Sequence, residues 1–223
     1  MNFFKFLYLK TKENSHIFLF FVLFTIGIQK IMSYAFGFDN LMDNKEFYMD
    51  LIKSNKFYLF VFLSTVIDSF IAGGVWYVIL LDKETSFSEY FFKCLYYFKR
   101  FFALGIISTL MISLIMLSML INNKILMFLF FIFIVAGTAY FGIKISFSPV
   151  YIIKFDTGVY DAIKRSFQTV KGQYFWIILI LSILKYFLSR NEILASFMAL
   201  IFIAFICYLF FLITTSENYE EVS

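Results

Sequence analysis

The sequence predicts an all-α, polytopic membrane bundle of about six transmembrane helices, two or three interfacial amphipathic helices and an internal repeat. Three observations predict it. The 223 residues are 62% hydrophobic and only 15% charged, against about 25% charged in soluble domains. Several uncharged runs reach the ~20 residues that cross a bilayer. Pro appears once and Gly nine times, so long unbroken helices are expected. A small soluble domain keeps much of its surface exposed and cannot hide this apolar content. The composition excludes a disordered chain, a nucleic-acid-binding domain and an ordinary cytosolic enzyme. It leaves a single integral membrane domain over 1–223.

The first span falls at about 15–36. Residues 14–29 are uncharged, and the run continues past Lys30. Lys5, Lys10 and Lys12 ahead of it, with Ser33-Tyr34-Ala35 behind, outline a signal peptide, but the apolar run is long for one. The second span, 57–81, is apolar except for Asp68. The third and fourth, 101–123 and 125–148, meet at a tight turn, Asn122-Asn123-Lys124. The fifth, 173–189, is the shortest, and the sixth is 193–215. Between the first two spans, 39–56 forms a long outer loop. Asp39, Asp43, Glu46 and Asp50 there are interleaved with Lys45, Lys53 and Lys56 and lack calcium-loop spacing, so they read as a solvated face.

Alternate loops then collect twelve Lys and Arg on one side, from Lys5 to Lys171, and seven on the other. Basic residues favour the cytoplasmic side, so both termini are expected to be cytoplasmic in a multi-pass cell-membrane protein.

Self-comparison at an offset of 72 aligns 84–95 with 156–167. Glu84 meets Asp156, Thr85 meets Thr157, Glu89 meets Asp161, and Lys93 and Lys99 meet Arg165 and Lys171. Each segment precedes a span and reads as an amphipathic helix. Phe87, Tyr90, Phe91 and Cys94 recur at helical spacing in the first, and Val159, Ile163, Phe167 and Val170 in the second. Thr85 and Thr157 are candidate N-caps, and each helix is expected to turn sharply into the next span. Lys93, Lys99, Arg100, Lys164, Arg165 and Lys171 form the interfacial basic set, facing anionic lipid headgroups. Phe3, Phe4, Leu7 and Thr11 suggest a third copy, giving units of about 1–81, 84–153 and 156–215. Cys94 is expected at the interface and Cys207 inside the last span, with no disulfide between them.

The run Ser148-Pro149, then Ala162-Ile163-Lys164-Arg165-Ser166-Phe167-Gln168-Thr169-Val170-Lys171-Gly172 before Trp176, resembles a group of bacterial six-helix membrane proteins. That group includes the membrane domain attached to some glycerophosphoryl diester phosphodiesterases. The resemblance implies a helical membrane bundle with cytoplasmic interfacial helices and implies no chemistry. It departs at the earlier copy, where Lys99-Arg100 replaces Lys171-Gly172.

Catalytic inventories fail. His16 is the single histidine, so no histidine-pair metal site exists. No nucleophile elbow or phosphate loop is present, and a serine without a base is not a nucleophile. No catalytic, cofactor or metal residue is assigned. Gly73, Gly74, Gly105, Gly137 and Gly142 lie in spans, where small residues serve close helix packing.

Asp68 is the exception. It sits mid-span, where an aspartate costs about 2.5–3.5 kcal/mol to insert. Its side chain should face the bundle, be protonated, or find a partner such as Lys144, Tyr140 or Asn123. The expected function is non-enzymatic: an accessory subunit or lipid-handling protein of the bacterial inner membrane, with another membrane protein or an ABC-type subunit as its partner. The alternative is a small repeat-built transporter or channel using the midspan carboxylate. A lateral groove for lipid favours the first, and a polar cavity holding Asp68 favours the second.

Overall fold

The computed structural model describes residues 2–36, 54–81, 84–118, 123–188 and 192–220, and these are almost entirely helical. In order they are α1 Phe3–Glu13, α2 Ser15–Phe36, α3 Asn55–Leu80, α4 Phe87–Ser118, α5 Lys124–Lys144, α6 Ser148–Lys154, α7 Val159–Thr169, α8 Gln173–Leu188 and α9 Glu192–Glu220. Five stretches are long and apolar enough to cross a membrane, one of them α5 continued through α6. Counting the bent pair α7–α8 as one more gives six. The outer loop, with Asp39, Asp43, Glu46 and Asp50, lies outside the described residues.

Local chemistry sets several helix ends. Asn2 caps α1 by accepting from the Lys5 N–H at 2.9 Å. Asn123 caps α5, accepting from the Ile125 and Leu126 N–H groups at 3.1 and 3.2 Å. The expected span 125–148 is interrupted: α5 ends at Lys144, three residues turn, and α6 restarts with Pro149 in its first turn. Proline suits that position because its missing N–H would have had no helical partner. The expected threonine caps are not used. The Ser86 hydroxyl accepts from the Glu89 N–H at 3.2 Å at the start of α4, while Thr157 donates to the Tyr151 carbonyl at 3.0 Å.

The core lies at one end of the bundle. Residues 71–79 of α3 pack there against 90–104 of α4, 147–152 around α6, Ala162 of α7 and 204–213 of α9. At the other end the helices present apolar side chains outward, for example Phe133 of α5 at 77% exposure and Tyr186 of α8 at 78%. The packed end is the one assigned to the cytoplasm by the basic residues.

α3 and α4 share the most extensive helix contact. A Cβ on Gly74 would lie 2.6 Å from the Tyr90 ring and against the Cys94 sulfur, and one on Gly105 would lie 2.6 Å from the Ser69 hydroxyl. These two glycines bring the backbones together, as expected of small residues. Gly137 and Gly142 do not: nothing stands within 4 Å of a Cβ at either. Cys94 is fully buried against α3 rather than set at an interface, and both cysteines are free thiols.

The sharp turn into a span is present at one aligned site and absent at the other. α7 and α8 meet at 106°, with Gly172 at φ +51 between them. A left-handed φ costs a side chain-bearing residue about 1–2 kcal/mol and costs glycine almost nothing. At the aligned position Arg100 lies within α4, which runs unbroken for 32 residues. So 84–123 does not superpose on 156–195 across this junction. Among the described residues the separate amphipathic helices are α1 and α7.

Candidate functional site

α7 is fixed to the bundle by the residues of the Ala-x-Lys-Arg-Ser stretch. Ala162 and Ser166, one turn apart, are fully buried. The Ser166 hydroxyl accepts from the Phe147 N–H at 3.1 Å and donates to the Lys144 carbonyl at 2.6 Å, stitching α7 to the turn after α5. The Lys144 ammonium donates to the Val170 carbonyl at 2.6 Å. Ala162, Ser166 and Gly172 thus have architectural tasks: close approach, closing a turn, permitting a bend. Lys164, Arg165 and Lys171 are left exposed.

The six basic residues expected at the interface divide in two. Lys99, Lys164, Arg165 and Lys171 are exposed. Lys93 and Arg100 are half-buried in an aromatic cluster. The Lys93 ammonium lies 4.7 Å from the Tyr77 ring centre and 5.4 Å from that of Tyr96, and Tyr77 donates to Glu89 at 2.7 Å. Arg100 is bonded to Asp156, which also accepts from the Tyr96 hydroxyl at 3.0 Å. The Arg100 hydrogen bond holds the Asp156 carboxyl below the usual carboxylate range. This pair ties α4 to the turn between α6 and α7, where Asp156 itself takes a positive φ of 52°.

Asp68 lies at the middle of α3, where it is exposed rather than packed into the bundle as expected, and it makes no hydrogen bond or ion pair with any described residue. None of the three expected partners reaches it. Lys144 serves Val170 and lies 5.7 Å from the Tyr140 ring, and Asn123 caps α5. The carboxylate instead borders two cavities, one of about 200 Å³ against α2 and one of about 350 Å³ toward α4, α5, α8 and α9.

A larger space than either lies elsewhere. A lateral groove of about 730 Å³ runs between α1, α2 and α9, closed behind by Ile79 of α3. Phe18, Leu19 and Val22 form one wall, and Phe197, Leu200 and Ala204 the other. Polar groups gather at one end only: Lys10, Thr11, Ser15 and His16, beside the α1–α2 junction. The Lys10 ammonium donates to the Leu81 carbonyl, and the His16 Nε2 lies 3.2 Å from the Thr85 carbonyl. No sequence pattern announces this groove, because its walls are nearly 180 residues apart in the chain.

Among the described residues no group of three His, Cys, Asp or Glu side chains is placed to hold a metal ion. Comparison with family models, with curated proteins and with solved structures finds no match for this chain.

Proposed function

We propose that the chain is a non-enzymatic, multi-pass protein of the bacterial inner membrane that holds lipid, with both termini cytoplasmic, as a lipid-handling or accessory component. The carrying observation is the lateral groove: apolar along its length, polar at one end, and within the ~300–1,000 Å³ of small-molecule sites. That polarity suits one acyl chain lying along α2 and α9 with its headgroup beside α1. Exposed Lys99, Lys164, Arg165 and Lys171 on the same side favour anionic headgroups.

Helix lengths support the membrane placement. α4, at 32 residues, rises about 48 Å, more than the ~30 Å hydrocarbon core. Its first turns, rich in Lys, Arg and Tyr, are the part that would stand at the headgroups. The order helix, span, span in α1–α3 and again in α7–α9 supports a diverged repeat, with α4–α6 as the altered middle unit. The apolar flanks of α5 and α8 leave room for a membrane partner, such as another integral protein or an ABC-type subunit.

Native mass spectrometry of the protein released from lipid nanodiscs tests the reading. Retained phospholipid is expected on the wild type and on a control, Leu129→Trp, and is expected to fall severalfold with Leu19→Trp, which fills the groove. Equal retention by both variants, or none by the wild type, defeats it.

A further inference from the structure

Asp68 borders its two cavities at one point, the midpoint of α3. In the cavity against α2 the other polar residues are Thr25 and Ser64. In the cavity on the far side they are Ser69, Ser108, Ser146 and Ser182. The Thr25 and Ser146 hydroxyl oxygens, one in each cavity, are buried and have no hydrogen-bond partner. Asp68, which is itself exposed where the two cavities meet it, has no partner among the described residues. Buried polar groups are as a rule paired, with water where protein does not reach them. Each cavity is large enough for several waters and offers the two or more polar partners an ordered water needs.

We propose that Asp68 is a proton-binding site which water reaches through both cavities, with the Thr25 and Ser146 hydroxyls as hydrogen-bonding relays on either side. The proton is the ligand this chemistry fits. A lone carboxylate with hydroxyls lacks the several oxygen ligands a hard cation demands. A carboxylic acid both donates and accepts, as each hydroxyl does, so the set passes a proton along without leaving a bare charge among the apolar helices.

Apart from Asp68 no titratable residue lines either cavity. Charged side chains on the surrounding helices are engaged or turned away. Lys30 of α2 and Lys56 of α3 are exposed, Arg100 of α4 is bonded to Asp156, and Lys144 of α5 to the Val170 carbonyl. The Lys185 ammonium of α8 lies 5.0 Å over the Phe202 ring, which lines the larger cavity. The inference goes beyond lipid holding and rests on different residues from the groove, so either fails without the other. It supplies the element a small transporter would need.

The test uses the full chain in liposomes and dicyclohexylcarbodiimide, a membrane-permeant reagent that adds across a protonated carboxyl to leave a stable N-acylurea. Peptide mapping is expected to place the adduct on Asp68, with yield falling severalfold from mildly acidic to alkaline pH and no adduct in Asp68→Asn. Should that variant not accumulate, Asp68→Glu keeps a titratable group and should keep the adduct. A small charged thiosulfonate should modify Ser64→Cys and Ser182→Cys severalfold faster than Phe133→Cys on the apolar flank. No adduct at Asp68, or one indifferent to pH, overturns the proposal. So does reaction of the two cavity cysteines no faster than Phe133→Cys, and reaction at only one of them overturns access from both sides.

Discussion

α4 and the α7–α8 pair start alike, with an acid in the first turn, an apolar face and bases behind, and then part at one residue. At Gly172 the chain turns through 106°, and at Arg100 it continues straight into the next turns of α4. The means of attachment differ as well. α4 is held by close packing on α3 across Gly74 and Gly105. α7 is held by polar stitches, Ser166 to the turn at 145–147 and Lys144 to Val170. A helix that continues into a span can rest on apolar contact along its length. A short helix that ends in a bend needs directional bonds to fix its angle, because its few turns bury little surface.

The largest break in this contrast should come from Gly74→Val. Its new side chain meets Tyr90 and Cys94, and overpacking of this kind costs up to ~3 kcal/mol. Gly137→Ala, with open space around it, should leave stability within ~1 kcal/mol of wild type or raise it through helix propensity. Thermal unfolding in detergent micelles compares the two, and equal losses would dissolve the packing account of α4.

Ser166→Ala comes next. It leaves the Phe147 N–H and the Lys144 carbonyl without their side-chain partner, and an unsatisfied buried group costs about 1–3 kcal/mol. Protease cleavage near 145–147 should quicken along with the stability loss. Unchanged cleavage would mean that α7 is held by something other than the serine.

Gly172→Ala sharpens the comparison at the bend itself. The site is roomy, so the loss is backbone strain alone, ~1 kcal/mol. Gly158→Ala, at φ −66, should be neutral in the same unfolding measurement. Identical effects at the two glycines would remove the conformational reason for the bend.

The smallest effect belongs to the Arg100–Asp156 pair, whose acid is 55% exposed. The Asp156 carboxyl titrates below its unfolded value because of Arg100. Its contribution is therefore present above the ordinary carboxylate range and lost as pH falls through the depressed folded value. The stability gap between wild type and Asp156→Asn should be small near neutrality and close in acid. A gap that widens in acid would reverse the sign assigned to this group.

The long apolar helices were legible because an apolar run of that length has few alternatives. Asp68 was legible as the one acid in such a run. Its surroundings were not: Lys144, Tyr140 and Asn123 are plausible partners by depth alone, yet Lys144 is engaged by a helix end and Asn123 by a cap. The break at Gly172 was visible as a glycine in an aligned pair. Nothing in the shared pattern of acids, threonines and bases reveals that Arg100 lets its helix continue, because continuity turns on one backbone angle. The groove was illegible because helix adjacency is decided by the whole fold.

The α1–α2 junction carries a consequence for the order of assembly. Asn14 accepts from the Thr85 N–H at 3.0 Å, Lys10 donates to the Leu81 carbonyl, and His16 sits at the Thr85 carbonyl. All three partners lie about seventy residues downstream. On a ribosome the first two helices are made well before the segment that locks them, and closing so long a loop is slow compared with local helix formation. The newborn N-terminus must wait until α3 is made and the chain beyond it arrives. The junction is then a latch that reports completion of the first hairpin, and a ribosome-stalled chain ending before residue 81 should leave it open.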